Sequence, residues 1–348
     1  MRIFSVLSVG LMSLAPLFSA ENMPVNPLPE GFQEIIPQQE EALQRAAAWL
    51  ARTQNRDGSW RASPGGSDSY PCAMTGLAGL ALLAVGNTPY RGKYGKNVVR
   101  AINYLMSKQS NDGFINGSGE GRGMYGHGFA MTFLAECYGM NPGGEMGARL
   151  RRCLDKAIKL TSRAQSNPGG WYYTPNSGSD EGSVTITQIQ ALRACKNAGL
   201  DVPKKTIDRA IGYIKKSQQP DGGIAYSAHQ SGSRAPLSAA GAELLMMAGL
   251  YNDKATQKAL KYIRQHISAD SMRQHDSYTT FYAAQAFHQM SGKDWSKYFT
   301  ARRKRYLREQ NANGSWTYTG WGASPVFDTA VGVITLALPY GYLPIYQR

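Results

Sequence analysis

The chain has 348 residues, with 38 Lys and Arg against 24 Asp and Glu, a net charge of +14. Such a balance favours anionic partners: a membrane surface, an acidic polymer or an acidic protein. Nucleic acid is not an expected partner, because no basic run is interleaved with aromatic residues that would stack on bases.

In chain order, residues 1–20 read as a signal peptide. Arg2 precedes an apolar run from Ile3 to Phe18, and Phe18-Ser19-Ala20 stands before Glu21. The run is short for a membrane span, so export to the periplasm or medium of a bacterium is the expectation. Residues 21–39 carry Pro24, Pro27, Pro29 and Pro37 and predict an extended lead-in.

From residue 40 onward one phrase recurs. Arg45-Ala46, Trp49-Leu50, Gln54 and Asp57-Gly58-Ser59-Trp60 set it out. Arg100-Ala101 with Tyr104-Leu105, Gln109 and Asp112-Gly113-Phe114 repeats it. Further copies hold Lys156-Ala157, Gln165, Gly169 and Trp171, then Arg209-Ala210, Tyr213-Ile214, Gln218, Asp221-Gly222 and Ile224. A degenerate copy has Lys258-Ala259 and Tyr262-Ile263. The last has Tyr306-Leu307, Gln310, Gly314 and Trp316. A period near 50 residues marks a repeat protein whose single unit cannot bury its own apolar face.

Each unit splits into two helical segments. The first is amphipathic and ends at the Gln; residues 40–53 put Leu43, Ala46, Ala47 and Leu50 on one face. The Asp-Gly or Asn-Gly that follows stops the helix, because Gly accepts the left-handed C-cap conformation. The second segment is apolar on nearly all sides, as in Cys72–Val85, Phe129–Tyr138, Val184–Ala198, Leu237–Leu250, Tyr278–Met290 and Thr329–Leu338. A helix without a polar face belongs inside a larger body. The expected architecture is all-α: residues 40–348 form one (α/α)6 double-ring toroid of six helical hairpins, outer helices around inner ones. Loops rich in Gly, Ser, Pro and Asn all lead into the inner helices at one end of the ring, where binding groups collect.

The four cysteines, Cys72, Cys137, Cys153 and Cys195, sit among apolar neighbours and form no C-x-x-C pair, which predicts buried thiols. Arg302-Arg303-Lys304-Arg305 is the densest basic cluster and is expected on a solvated helix face. No His, Cys, Asp or Glu set has metal-ligand spacing, and no cofactor is expected.

The repeated phrase resembles the QW motif of the terpenoid cyclases, the superfamily of squalene–hopene and oxidosqualene cyclases and protein prenyltransferases. The resemblance runs over nearly all of the chain after its first 39 residues and implies the α/α toroid fold. It also implies that Gln54, Trp60, Gln109, Gln165, Trp171, Gln218, Gln310 and Trp316 brace outer helices and do no chemistry. The chemical marks of the superfamily depart here. Type II cyclases carry Asp-x-Asp-Asp-Thr-Ala at the head of an inner helix, with the central Asp as proton donor. The nearest match is Pro325-Val326-Phe327-Asp328-Thr329-Ala330, with Phe327 in the donor's place and Asp328 surviving. The Asp-x-Cys pair of the zinc prenyltransferases is missing too.

Candidate reactive groups are Asp328, Asp276, His127 and Glu243. Asp276 and Asp328 stand where helix N-caps do. His127 lies between two glycines, read equally as a structural or a site residue. Glu243, like Glu136, lies in an apolar helix, where a carboxylate must be paired, with Arg234 a possible cation, or hold its proton. Tyr125, Tyr278, Tyr282, Phe327 and Trp321 are candidate ligand-lining aromatics. Three readings stay open: a binding protein for an apolar isoprenoid-like ligand or a partner in the central cavity, an isoprenoid cyclase or transferase using another acid, and a carbohydrate-active enzyme. An aromatic cavity favours lipid, an open groove with Trp platforms favours sugar, and a filled centre favours a scaffold.

Overall fold

The structure is a computed structural model that describes residues 35–62, 70–117, 120–140, 143–270, 276–318 and 324–347. The expected signal peptide, most of the lead-in, and the candidate Trp321 lie outside the described residues. So does the side chain of Asp276.

Six hairpins make up the described chain. The outer helices are α1 (Pro37–Thr53), α3 (Gly95–Ser107), α5 (Gly144–Arg163), α7 (Lys204–Lys216), α9 (Lys254–His266) and α11 (Gly292–Glu309). The inner helices are α2 (Pro71–Ala84), α4 (Gly123–Gly139), α6 (Gly182–Asn197), α8 (Ala235–Met247), α10 (Asp276–Met290) and α12 (Pro325–Ala337). Each outer helix has an apolar stripe toward the ring: α1 buries Ala42, Leu43, Ala46, Ala47, Trp49 and Leu50. The inner helices are enclosed, to the point that every residue of α2 is buried. Burial of a Leu or Phe side chain is worth about 1.5–3 kcal/mol, so the apolar inner helices dominate the driving force. Helix α1 begins at Pro37, where proline's missing N–H costs nothing at a helix start; the lead-in therefore ends three residues earlier than its prolines suggest.

The repeated phrase acts as a brace between units. Gln54 Nε2 donates to the Gly58 carbonyl (2.9 Å) and to Asn97 O on α3 (3.0 Å). Gln109 reaches Cys153 O, Gln165 reaches Thr206 O and Gln218 reaches Ala255 O in the same manner. Gln310 closes the ring by donating to Ala42 O of the first unit at 2.7 Å, and Arg45 donates back to its Oε1. The glycine beside each Gln sits against the next outer helix. Gly314 has φ +94°, and a Cβ there would lie 2.5 Å from Arg45 O, so only glycine fits both the left-handed backbone and the close approach.

In three of the units a tryptophan pins the loop to its own outer helix. Trp60, Trp171 and Trp316 donate their indole N–H to Leu50 O, Thr161 O and Tyr306 O at 2.7–2.8 Å. Their backbone N–H groups donate to Thr75, Thr185 and Thr329 near the heads of α2, α6 and α12. Where the tryptophan is replaced by isoleucine, Ile224 N–H donates to Ser238 and Ile115 N–H to His127.

The basic cluster on α11 departs from the expected solvated face. Arg302 and Arg305 are each only 2% exposed. Arg305 pairs with Glu309 at 2.9 Å and lies over the Tyr318 ring. Four consecutive basic residues on a helix cannot share one face, since residues three or four apart meet and neighbours diverge. All four cysteines are buried and free. Among the described residues, no helix is long and apolar enough to cross a membrane.

Candidate functional site

The N-terminal ends of the inner helices meet around one mouth of the ring, where loops enter. Glu181 caps α6: it is fully buried and accepts from Ser183 N (3.1 Å), Val184 N (2.8 Å) and the Ser183 hydroxyl. The Tyr125 hydroxyl on α4 meets the Ser183 hydroxyl and lies 3.4 Å from Glu181 Oε2. Burial, with the Glu181 carboxylate and Tyr278 nearby, holds the Tyr125 phenol well above its usual range. The Tyr278 ring on α10 is half-buried, while its hydroxyl is shielded and has no hydrogen-bond partner. Tyr173 and Tyr226 hydrogen-bond hydroxyl to hydroxyl at the rim, and Arg122 lies over Tyr173 at 4.6 Å. Phe327 is half-buried at the head of α12.

Below this mouth the hole is spanned. Helices α4 and α10 belong to the second and fifth units, opposite one another in a ring of six. Phe129 on α4 nevertheless meets Phe281 on α10, centroids 6.0 Å apart and edge to face. Gln190 on α6 donates to Gln285 on α10 at 2.8 Å. At the far end, the turn Pro344–Tyr346 enters the ring, and Tyr346 stands edge-on to Phe281 at 6.2 Å. Phe281, Tyr282 and Tyr346 are each no more than 3% exposed. The aromatics of α10 are thus filler for the hole as much as lining.

Two acids are sealed in with them. Burial pushes Glu243 up to about 8, the Gln190 amide being its one opposing contact. Burial likewise pushes Glu136 up to about 8 against a hydrogen bond from the Ile345 backbone. One carboxyl oxygen of each is buried without a partner. Arg234, the cation considered for Glu243, is exposed at the N-cap of α8, at the other end of the helix. The acids therefore answer their burial by holding protons, not by pairing with a cation.

The remaining candidates are structural in their contacts. His127 is fully buried, and it lies inside α4, which starts at Gly123, four residues before it and six before the expected Phe129. Its Nδ1 accepts from Ile115 N–H at 3.1 Å, and Nε2 is 3.0 Å from Thr161 Oγ1. Thr161 gives its own proton to Ala157 O, so Nε2 carries the imidazole proton and the ring is neutral. Burial lowers it to about 4. His127 does for the second unit what Thr75 does for the first. Asp328 is 1% exposed, with Oδ1 accepting from the Ser277 hydroxyl and Oδ2 from Tyr318 N–H at 3.0 Å. It is not the N-cap of α12; Ser324 is.

The mouth thus brings together Tyr125 and Tyr278 of the expected set, with Phe327 at the same end of the ring on the head of α12. Tyr282 lies deeper, Glu243 deeper still, and His127 in the wall between α4 and α5. Glu181, Ser183, Tyr173 and Tyr226 are the mouth residues that sequence reasoning left out of the ligand-lining set. The polar opening of α6 was the one signal for the first two.

No protein-family model matches the chain. A drimenyl diphosphate synthase of Streptomyces showdoensis is 27% identical over 193 residues, 56% of this chain and 34% of that protein. The chain therefore spans about a third of the length of the curated relative it matches. Among solved structures, a variant of the type II terpene cyclase MstE from Scytonema, in complex with geranylgeranyl dihydroxybenzoate, superposes with a TM-score of 0.60 at 14% identity. That match covers 88% of this chain and 98% of the cyclase. An inactive variant of an α-1,6-mannanase from Salegentibacter, in complex with α-1,6-mannotriose, superposes with a TM-score of 0.64 at 10% identity, covering 86% and 98%. The chain has the terpenoid-cyclase-like α/α toroid fold, one that glycosidases share.

Proposed function

We propose that this protein binds an apolar, isoprenoid-like ligand at the mouth of the toroid and does not cyclise it through the Asp-x-Asp-Asp acid. The observation that carries the reading is the state of the donor position. Phe327 stands in the acid's place, and Asp328 beside it has both carboxyl oxygens engaged by Ser277 and Tyr318. A proton donor for a polyene needs a free, protonated carboxyl facing substrate. The cross-ring contacts support binding at the mouth over binding in a deep chamber. There Tyr125, Tyr278 and Phe327 offer aromatic surface, with hydroxyls to meet a polar head group. Likeness to a cyclase bound to a geranylgeranyl compound supports the ligand class by analogy of fold.

The carbohydrate-active reading has less support. The buried carboxylates Glu120, Glu181 and Asp328 at this end of the ring are taken up by helix capping and loop closure, whereas glycoside cleavage needs two that face substrate. Export stays part of the proposal, resting on the pattern of residues 1–20.

Equilibrium binding of geranylgeranyl dihydroxybenzoate, read by quenching of intrinsic fluorescence, tests the reading. Saturable binding is expected. Phe327→Ala should weaken it about tenfold, the loss of ~1.4 kcal/mol of apolar contact. Arg193→Ala, at the opposite end of the ring, should leave it unchanged. Absence of saturation up to the solubility of the ligand would refute the proposal.

A further inference from the structure

The positive charge of the outer helices is concentrated on one side of the ring wall. Helix α5 has six Lys and Arg against two acids, α7 five against one, α9 four against none and α11 seven against two. Helix α1 has two against two, and α3 two against none. The four basic helices are consecutive around the wall. Gln165 joins α5 to α7, Lys215 pairs with Asp253 at the start of α9, and Arg264 pairs with Asp294 of α11.

On three of them the exposed cations fall in a row. Arg152, Lys156, Lys159 and Arg163 of α5 are all exposed, as are Lys254, Lys258 and Lys261 of α9, and Lys293, Lys297, Lys304 and Arg308 of α11. These intervals of three, four and seven place each row along one outward face. Successive charges are then about 4.5–6 Å apart where the interval is three or four.

We propose that this wall is a docking surface for an extended anionic polysaccharide, a sugar-acid polymer with one carboxylate per ring. Two features select that partner. The wall is convex and spans four of the six units, so a flexible chain can follow it, while a flat bilayer touches it along a tangent. The described large hydrophobic residues that are exposed, Tyr90 and Tyr342, lie outside these four helices, so the wall carries no large apolar side chain for insertion at a membrane interface and none for stacking on bases.

The test uses polygalacturonate as probe, with neutral dextran, duplex DNA and phosphatidylserine vesicles alongside, at low and moderate salt. The triple variant Lys254→Glu, Lys258→Glu, Lys261→Glu is compared with Arg91→Glu, Lys93→Glu, Lys96→Glu, which changes net charge equally on the α3 side of the ring. All six positions are exposed, and thermal melting of both variants confirms folding. Polygalacturonate should bind at low salt and weaken at least tenfold on a fourfold rise in salt, as release of about two counterions implies. The α9 variant should lose at least tenfold and the α3-side variant less than threefold. Equal loss in both variants would reduce the effect to net charge and overturn the proposal. So would tighter binding of duplex DNA, or binding of vesicles without polygalacturonate.

Discussion

Replacing Glu243 by Gln should stabilise the protein, by an amount that grows with pH. Glu243 is fully buried in the spanned hole, and burial raises its carboxyl from 4.5 to about 8. The folded chain therefore keeps a proton that the unfolded chain releases, so stability is complete below the unfolded value and falls as pH rises through the interval. At ~1.36 kcal/mol per pH unit, the loss reaches about 3 kcal/mol by pH 7 and about 5 kcal/mol at pH 8 and above. Gln keeps the shape and the contact with Gln190 but has no proton to lose. Urea denaturation of wild type and Glu243→Gln at pH 5, 6, 7 and 8 measures the difference directly. The curves should lie close together at pH 5 and diverge steadily to pH 8. Parallel curves would mean that Glu243 titrates like a solvated carboxylate, and the filled-hole account would fail with it.

Four further outcomes follow from the contacts. His127→Ala should cost about 2–4 kcal/mol, because it leaves Ile115 N–H buried and unpaired and opens a cavity; His127→Thr, the residue used in three other units, should recover part of that in thermal melts. Asp328→Asn should lose ~1–3 kcal/mol in denaturation, since an amide has one oxygen for the two donors at Ser277 and Tyr318, with little change in ligand affinity. Gly314→Ala should cost about 2–4 kcal/mol, from the left-handed backbone and the clash with Arg45 O; a cost well below that of Gly169→Ala would mean that the ring does not close as described. N-terminal sequencing of protein recovered outside the cytoplasm should begin at Glu21; an intact Met1 terminus there would contradict cleavage after Ala20, and recovery in the cytoplasm alone would contradict export.

The fold was legible because its information is local. The interval from Gln54 to Gln109 to Gln165, the Gly-Trp ends and the all-apolar second segments each speak of one hairpin, and six hairpins in one direction admit few arrangements. The brace roles of Gln and Trp came from the resemblance of the phrase to the QW motif, not from the phrase alone. The filling of the hole was not legible. Phe129 meets Phe281 across 152 positions of sequence, and nothing in either helix alone tells an inward aromatic from a lining one. His127 was ambiguous for a related reason: its partners, Ile115 and Thr161, come from a loop and from the next outer helix. Alignment of Ile115 with Trp60 and of His127 with Thr75 would have exposed the shared role. Arg302 and Arg305 misled because a run of cations reads as solvated, while helical geometry turns two of the four inward.

The central claim is that the mouth holds an isoprenoid-like ligand without cyclising it. The most direct measurement is product analysis of geranylgeranyl dihydroxybenzoate recovered, after long incubation, from a sample whose bound fraction is measured in parallel. Bound ligand returned chemically unchanged is the predicted result. A cyclised product formed in proportion to enzyme would contradict the account and return attention to the buried acids Glu243 and Glu136.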